Sequence, residues 1–309
     1  MRNTRRRRRR RRNQRGRQIV IVCCGLVILA AAGFGIAGSM GGGKPALIEA
    51  ENVSPQAESL AEEEDRYTLR LSGIEKMDQG DYAGAIIDFE AAILASSGRV
   101  GEFEEDVLKY RAEAEYALAD YGAAAHTYDL LIQLEGDGAE YRYRQALSLA
   151  LAGDAQGSLE AYRQGEDLEG KDSHQSLSLG RSDVVAAVGK ACMEAGLTAE
   201  AESIYNEAIA DGSAGPQVFN QMGMGFMETE QYERALECFN QALSLTDQTA
   251  EGQQVQENQE ALRQAAFNRG TALEYLSRFD EALEAFQNYV NTYGPDEEAQ
   301  KEITFLETR

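Results

Sequence analysis

The chain has 309 residues, with 30 basic and 52 acidic side chains, four cysteines and no tryptophan. Its charge is unevenly divided: the first 17 residues hold eleven arginines and no acid, and the other residues hold 19 basic and 52 acidic side chains, a net charge of −33. Such an asymmetry bears on location and partners rather than on fold. Two of the cysteines lie in one apolar run and the other two lie far apart, which excludes a disulfide framework.

Residues 1–17 form an arginine-rich tail that we predict to be cytoplasmic. It includes eight consecutive arginines, Arg5 to Arg12. We interpret the tract as a topological signal that also contacts anionic lipid headgroups, at ~1 kcal/mol for each basic residue near the surface. The tract has no interleaved aromatic residue for base stacking, which argues against nucleic acid as its ligand.

Residues 18–38 are predicted to form one transmembrane helix. Ile19 to Ala37 is an uncharged run of 19 residues, which as a helix spans roughly 28 Å, close to the ~30 Å hydrocarbon core of a bilayer. Because an excess of arginine stays on the cytoplasmic side, we expect a single-pass protein of a bacterial cell membrane whose C-terminal domain is extracytoplasmic. A reversed topology is the alternative, and the arginine tract argues against it.

Two other interpretations of the apolar run stay open. A cleaved signal peptide would use the small residues at Ala30–Ala32 or Ala37–Ser39, but the run is longer than the usual 7–15 residues of a signal peptide. A lipoprotein is less favoured, because Cys23 and Cys24 lie near the start of the run instead of after it. We therefore expect an uncleaved anchor.

A flexible linker is predicted over residues 39–57. It contains Gly41–Gly43, Pro45 and Pro55, and glycine and proline at this density do not hold a helix. A flexible chain of that length spans about 25 Å. Glu62–Asp65 then opens the first helix of the next region, since acids are favoured in a first turn by the helix dipole.

A pattern of small and aromatic residues recurs six times between about residue 66 and residue 295. Each copy has a small residue, an Ala or Ser twelve positions later, and an aromatic residue four positions after that. The small residues are Gly73, Ala112, Ala146, Gly189, Gly223 and Gly270; the second set is Ala85, Ala124, Ser158, Ala201, Ala235 and Ala282; the aromatic residues are Phe89, Tyr128, Tyr162, Tyr205, Phe239 and Phe286.

Each copy is predicted to be a pair of antiparallel helices. In the copy from Phe219 to Leu243, apolar residues recur at the helical spacing i, i+3, i+4, i+7 on both sides of a short turn. Gly223 and Ala235 let the two helices approach closely. Phe239 is predicted to fill the space toward the next repeat.

This pattern resembles the tetratricopeptide repeat, whose unit has 34 residues. Two of the five spacings between successive small residues are 34, and the segments Gly80–Tyr82, Ala119–Tyr121 and Gly153–Asp154 match the family's inner turn. The resemblance implies an all-α fold, a right-handed α-solenoid of about six helical hairpins over residues 58–295, with residues 296–309 as a C-terminal capping helix. The third unit departs from the pattern, since Arg142 stands where an apolar residue is expected.

In this family the first helix of each hairpin lines a concave groove that binds proteins. Carried over by offset, the groove positions are Tyr67, Arg70, Ile74, Met77, Lys109, Glu113, Tyr116, Tyr143, Leu147, Lys190, Met193, Asn220, Met224, Met227, Phe267, Thr271 and Tyr275. Exposed aromatic and methionine side chains suit adaptable contacts with a peptide or protein, and the charge of −33 favours a basic partner. The positions at which some family members grip a C-terminal carboxylate hold Arg70, Ile74, Tyr110, Glu140 and Arg144, which is not that pattern.

No constellation in the chain predicts catalysis or a cofactor. His126 and His174 are the only histidines, and neither has a His or Cys at metal-ligand spacing. We therefore predict a membrane-anchored scaffold or adaptor that is not an enzyme and needs no metal. The alternative is a structural envelope protein that binds cell-wall polymer or self-associates through its stacked repeats.

Overall fold

A computed structural model describes residues 53–97, 100–135, 138–169, 181–245 and 253–309. These residues form fourteen α-helices and no strand. The predicted tail, the predicted transmembrane helix and residues 39–52 of the linker lie outside the described residues. Within the described ranges, no helix has both the length and the apolar character needed to cross a membrane.

The helices are α1 (Pro55–Glu63), α2 (Arg66–Asp78), α3 (Tyr82–Ala95), α4 (Glu102–Ala117), α5 (Tyr121–Glu135), α6 (Ala139–Leu151), α7 (Ala155–Glu169), α8 (Arg181–Glu194), α9 (Thr198–Asp211), α10 (Pro216–Glu228), α11 (Tyr232–Ser244), α12 (Gln253–Tyr275), α13 (Phe279–Tyr293) and α14 (Glu297–Leu306). Helices α2 to α13 pair consecutively into six hairpins, α2/α3 through α12/α13. The helix content and the consecutive pairing confirm the expected tetratricopeptide-like solenoid of six hairpins.

The hairpin turns share one geometry. Gly80 and Gly153 have φ of +79° and +86°, a left-handed conformation that glycine adopts without a steric penalty. The aspartate that follows each glycine caps the second helix: Asp81 accepts from the Gly84 amide at 3.0 Å, and Asp154 accepts from the Gly157 amide at 2.9 Å. This turn chemistry explains why the Gly-Asp pair recurs in the sequence.

In the four hairpins whose small residue is glycine, that glycine and the recurring aromatic residue meet. A methyl group placed on Gly223 would fall 2.6 Å from the Phe239 ring, and one placed on Gly189 would fall 2.2 Å from the Tyr205 ring. The ring therefore occupies the space that a larger side chain on the first helix would need. The Phe239 ring thus packs on the first helix of its own hairpin, a contact that the prediction of a ring facing the next repeat did not include.

Helix α1 was not expected, and it corrects the predicted linker at its C-terminal end. Residues 55–57 begin a helix because Ser54 caps it, accepting from the Gln56 amide at 3.3 Å, and because Pro55 occupies the first turn. Ala57 is fully buried, and α1 packs on α3. Helix α2 begins separately, with Asp65 as its N-cap.

The buried apolar residues form two separate clusters. The N-terminal core runs from Ala57 to Leu131 and joins α1 to the first two hairpins. The C-terminal core runs from Tyr143 to Leu306 and joins the other four hairpins to α14, which buries Ala299 and Ile303 against the end of the stack. We call the boundary between α4/α5 and α6/α7 the seam.

First helices of neighbouring hairpins pack differently on the two sides of the seam. Helix α6 packs on α8, α8 on α10 and α10 on α12, whereas α2 and α4 touch only slightly and α4 and α6 do not form a packed pair. Contact across the seam comes from α5 against α6. The first helices therefore stand apart at the seam, and a cleft opens there.

Candidate protein-binding surface

The first-helix face consists of the first helices of the six hairpins: α2, α4, α6, α8, α10 and α12. All of the predicted groove residues lie on these helices. The most accessible ones are Tyr67, with 57% of its surface exposed, Met224, with 39%, Glu113 and Lys190. Half-buried ones are Arg70, Ile74, Met77, Lys109, Tyr116, Met193, Met227, Phe267, Thr271 and Tyr275.

Tyr143 does not line a groove, contrary to the prediction. Only 1% of its surface is exposed, and its ring packs 5.7 Å from the Tyr162 ring and against Gly165. The same repeat position, three residues before the small residue, is also buried at Ala186 and Asn220 in the next two hairpins, so carrying the groove over by offset misplaced this position there as well. Leu147, one turn later, is buried as well.

Asn220 is also buried, with 1% of its surface exposed. Its amide donates to Gln264 at 3.2 Å, and its carbonyl oxygen accepts from Asn268 at 3.1 Å. The side chain thus joins α10 to α12, and its polar atoms are used inside the protein. The prediction that Asn220 is free to contact a partner is wrong.

The aromatic residues of α12 contribute more to packing than to open surface. The Phe267 ring meets the Phe286 and Tyr289 rings edge-on, at 5.3 and 5.5 Å. The Tyr275 ring stacks on Tyr232 at 4.7 Å. Both predicted residues are half-buried, so a partner could touch only the edges that remain accessible.

Methionines supply much of the accessible apolar surface in the C-terminal half of the face. Met224 is exposed, Met227 and Met193 are half-buried, and the Met193 methyl group lies over Gly225 where α8 and α10 meet. Flexible, polarisable methionine side chains adapt to differently shaped partners. This region is therefore the part of the face best suited to apolar contacts.

A cleft of about 220 Å³ lies at the seam, and we call it the seam cleft. Its lining combines opposite charges with aromatic rings. The lining residues are Lys109 and Glu113 of α4, Tyr128 of α5, and Glu140, Tyr141 and Arg144 of α6. Lys109 and Glu113 were predicted groove positions, and Glu140 and Arg144 stand where some family members grip a carboxylate. Tyr128 stood out in the sequence only as a repeat aromatic residue, and no sequence pattern pointed to Tyr141.

Two ion pairs set the charge in the seam cleft. Lys109 Nζ lies 2.7 Å from Glu105 Oε1, and Arg144 Nη2 lies 3.1 Å from Glu140 Oε1. Burial raises the pKa of the Tyr128 hydroxyl, and the nearby Glu113 carboxylate raises it further, while Arg144 acts in the opposite direction. Tyr128 is therefore a neutral hydroxyl at the floor of the cleft, where it is hydrogen-bonded to Arg144.

Metal-ligand clusters are not found in the part of the chain that the structure describes, where no three His, Cys, Asp or Glu side chains converge suitably. His126 lies exposed on α5, away from the first-helix face. Cys192 and Cys238 are buried free thiols. The absence of catalysis stays a prediction.

Residues 220–297 match the tetratricopeptide-repeat family. That match covers the last two hairpins from α10 onward, and the fold extends the likeness over the other four. The type IV pilus biogenesis factor PilW superposes with a TM-score of 0.52 at 16% identity, over 76% of this chain and 97% of PilW. At such identity the likeness shows the fold alone, a tetratricopeptide-like solenoid.

Two further solved structures are similar at lower scores. The assembly chaperone Acl4 of RpL4 has 15% identity and a TM-score of 0.49, over 79% of this chain and 96% of its own. A tetratricopeptide-repeat protein from Parabacteroides merdae has 11% identity and a TM-score of 0.46, over 78% and 98%. No curated protein matches the sequence. Solenoids of this kind serve as scaffolds for protein–protein interaction.

Proposed function

We propose that this chain is a membrane-anchored scaffold whose first-helix face binds a protein or peptide partner outside the cytoplasm. The observation that carries the binding half is the accessible surface on successive first helices, from Tyr67 through the seam cleft to Met224. The tethering half rests on the uncharged run Ile19–Ala37 behind the arginine tract. The described domain is strongly acidic, which favours a basic partner.

The alternative of self-association through stacked repeats receives less support. Helix α14 covers the C-terminal end of the stack, burying Ala299, Ile303 and Leu306. A second copy would therefore find that end already covered.

A topology reporter tests the tethering half. Alkaline phosphatase fused after Arg309 folds into an active enzyme only outside the cytoplasm, so we expect high phosphatase activity in bacterial cells and a fusion that stays with the membrane fraction. Replacing the basic residues of 1–17 with glutamine should lower that activity, because the positive charge that holds the N-terminus inside is lost. An inactive fusion, with a green fluorescent fusion at the same site bright, would establish the reversed topology.

A matched pair of surface variants tests the binding half. Met224 on α10 and Ile209 on α9 are 39% and 38% exposed, but only Met224 lies on a first helix. We expect Met224→Arg to remove most of the partner that co-purifies with the full-length protein, because a long charged side chain disrupts apolar contacts. Ile209→Arg should leave co-purification unchanged, and equal losses from both would contradict the proposal.

A further inference from the structure

The seam cleft has the size of a subsite for a single side chain. Its volume of about 220 Å³ is below the roughly 300–1,000 Å³ of pockets that hold whole small molecules. It opens between α4 and α6, which do not pack on each other as the first helices of the later hairpins do. A protein lying along the first-helix face would cross this opening.

The charges around the seam cleft leave one carboxylate uncompensated. Lys109 lies against Glu105, and Arg144 lies against Glu140. Glu113 is exposed and forms no ion pair or hydrogen bond with the residues that the structure describes. The lining holds two acidic and two basic groups, and Glu105 beside it pairs with Lys109, so each cation has a carboxylate partner and Glu113 is the acid left over.

The aromatic lining suits a long cationic side chain. Tyr128 is 4% exposed and forms the floor, and Tyr141 is half-buried. Lys109 Nζ lies 5.9 Å from the centre of the Tyr141 ring, which shows that an ammonium group fits beside that ring. Lysine and arginine bury their apolar stems against such surfaces and keep the charged end near an acid.

We propose that the seam cleft holds one lysine or arginine side chain of the bound partner, with its charge paired to Glu113 and its stem between Tyr128 and Tyr141. This inference rests on the proposed function and names the chemistry that one part of the face selects. Lys109 lies one helical turn from both Glu105 and Glu113, so it competes with the partner's cation for pairing with Glu113. Glu113 and Lys109 therefore have opposite effects on binding.

Three short peptides test this subsite. They are acetyl-Gly-Gly-Lys-Gly-Gly-amide and the same sequence with Arg or Glu at its centre. Each peptide is titrated into the full-length protein, which is held in a zwitterionic detergent and contains ring-labelled tyrosine for NMR. We expect the Lys and Arg peptides to shift the Tyr128 and Tyr141 resonances and the Glu peptide to leave them unchanged. Added salt should weaken the effect because the pairing is electrostatic.

Charge-removing variants make the test specific to the seam cleft. Glu113→Gln should weaken binding of the Lys peptide about two- to fivefold, as expected for an accessible ion pair, and Lys109→Met should strengthen it. Glu233→Gln on α11 is the control, because Glu233 is also exposed and lies outside the cleft. We expect that variant to bind like the unsubstituted protein.

The outcomes separate this inference from the proposed function. If the Glu peptide shifts the Tyr128 and Tyr141 resonances, and shifts them more in Glu113→Gln, the seam cleft takes a carboxylate. If none of the three peptides shifts these resonances, the cleft takes no side chain. Either result overturns the inference, while loss of a co-purifying partner in Met224→Arg would leave the proposed function standing. Equal loss in Met224→Arg and Ile209→Arg would instead count against the proposed function whatever the peptides do.

Discussion

Replacing Phe239 with alanine should lower the free energy of unfolding by about 3–5 kcal/mol, the cost of deleting a buried aromatic ring. Phe239 is fully buried and its ring lies directly against Gly223, so no neighbouring side chain can fill the space without moving a helix. Urea unfolding of the full-length protein, followed by circular dichroism, measures the loss. Leu71→Ala is the control, because Leu71 is 62% exposed and its truncation should cost little.

The same substitution tests whether the two cores are separate. Hydrogen exchange should accelerate in the Phe239→Ala variant within the hairpins from α6/α7 to α12/α13, which share the C-terminal core. Phe89→Ala should accelerate exchange in α1 and the first two hairpins, which share the N-terminal core. Uniform acceleration across the chain in both variants would contradict a division at the seam.

Replacing Arg111 with methionine should destabilise the protein by about 3–5 kcal/mol, the typical cost of removing one partner from a buried ion pair. Arg111 and Glu115 are 6% and 4% exposed, and Arg111 Nε lies 2.9 Å from Glu115 Oε1. Thr127 completes the network, since its hydroxyl donates to Glu115 at 2.7 Å and accepts from Arg111 at 2.7 Å. Methionine retains much of the volume, so the loss reports mainly on charge.

The destabilisation in Arg111→Met should depend on pH. Burial raises the pKa of Glu115, Arg111 opposes that rise, and Asp120 and Glu90 add to it. Because its pKa is raised, Glu115 binds a proton more readily in the folded state than in the unfolded state. The stability that this group contributes therefore falls as pH rises from ~4.3, the pKa of an unperturbed glutamate, to the raised pKa in the folded protein. Without Arg111 the pKa rises further, and the deficit should shrink as pH is lowered from 7 toward 5.

Two further variants decide whether the effect comes from the buried charge. Adding Glu115→Gln to Arg111→Met removes the unpaired carboxylate and should restore part of the lost stability at pH 7. Lys301→Met removes an exposed partner of Glu297, with side chains 70% and 92% exposed, and should change stability by less than ~0.5 kcal/mol. A deficit in Arg111→Met that widens in acid would contradict this account.

The repeat pattern predicted the hairpins well because its glycines face aromatic rings at a fixed sequence distance. Gly189 with Tyr205 and Gly223 with Phe239 meet as close helix–helix contacts in the structure. The direction of the ring was not predictable from spacing, since a ring on the second helix could face its own hairpin or the next one. Only the packed geometry distinguishes the two.

Residues 55–57 form a helix instead of a linker because a proline in the first turn does not break a helix. Pro55 lies in the first turn, where its missing amide hydrogen has no helical partner to lose, and Ser54 supplies the cap. Ala57 then packs in the N-terminal core. A serine, a proline and an alanine two positions later were available in the sequence as a helix start.

The binding surface was predicted less well than the fold. Offsets placed Tyr143 and Asn220 on the surface, but this repeat position is buried in three successive hairpins, at Tyr143, Ala186 and Asn220. Gln264 and Asn268 on the neighbouring first helix bond the polar atoms of Asn220. The seam lies where α4 and α6 do not pack on each other. A repeat pattern that stays in phase across the seam does not indicate where neighbouring hairpins separate.

Site-specific photo-crosslinking in cells tests the central claim most directly. A photoreactive phenylalanine is placed at Met224 on the first-helix face or at Ile209, which is almost equally exposed on a second helix. We predict one discrete protein adduct from Met224 and none of that mass from Ile209. Adducts of equal yield from both positions, or none from Met224 while the protein is folded and in the membrane, would contradict a binding surface on the first helices.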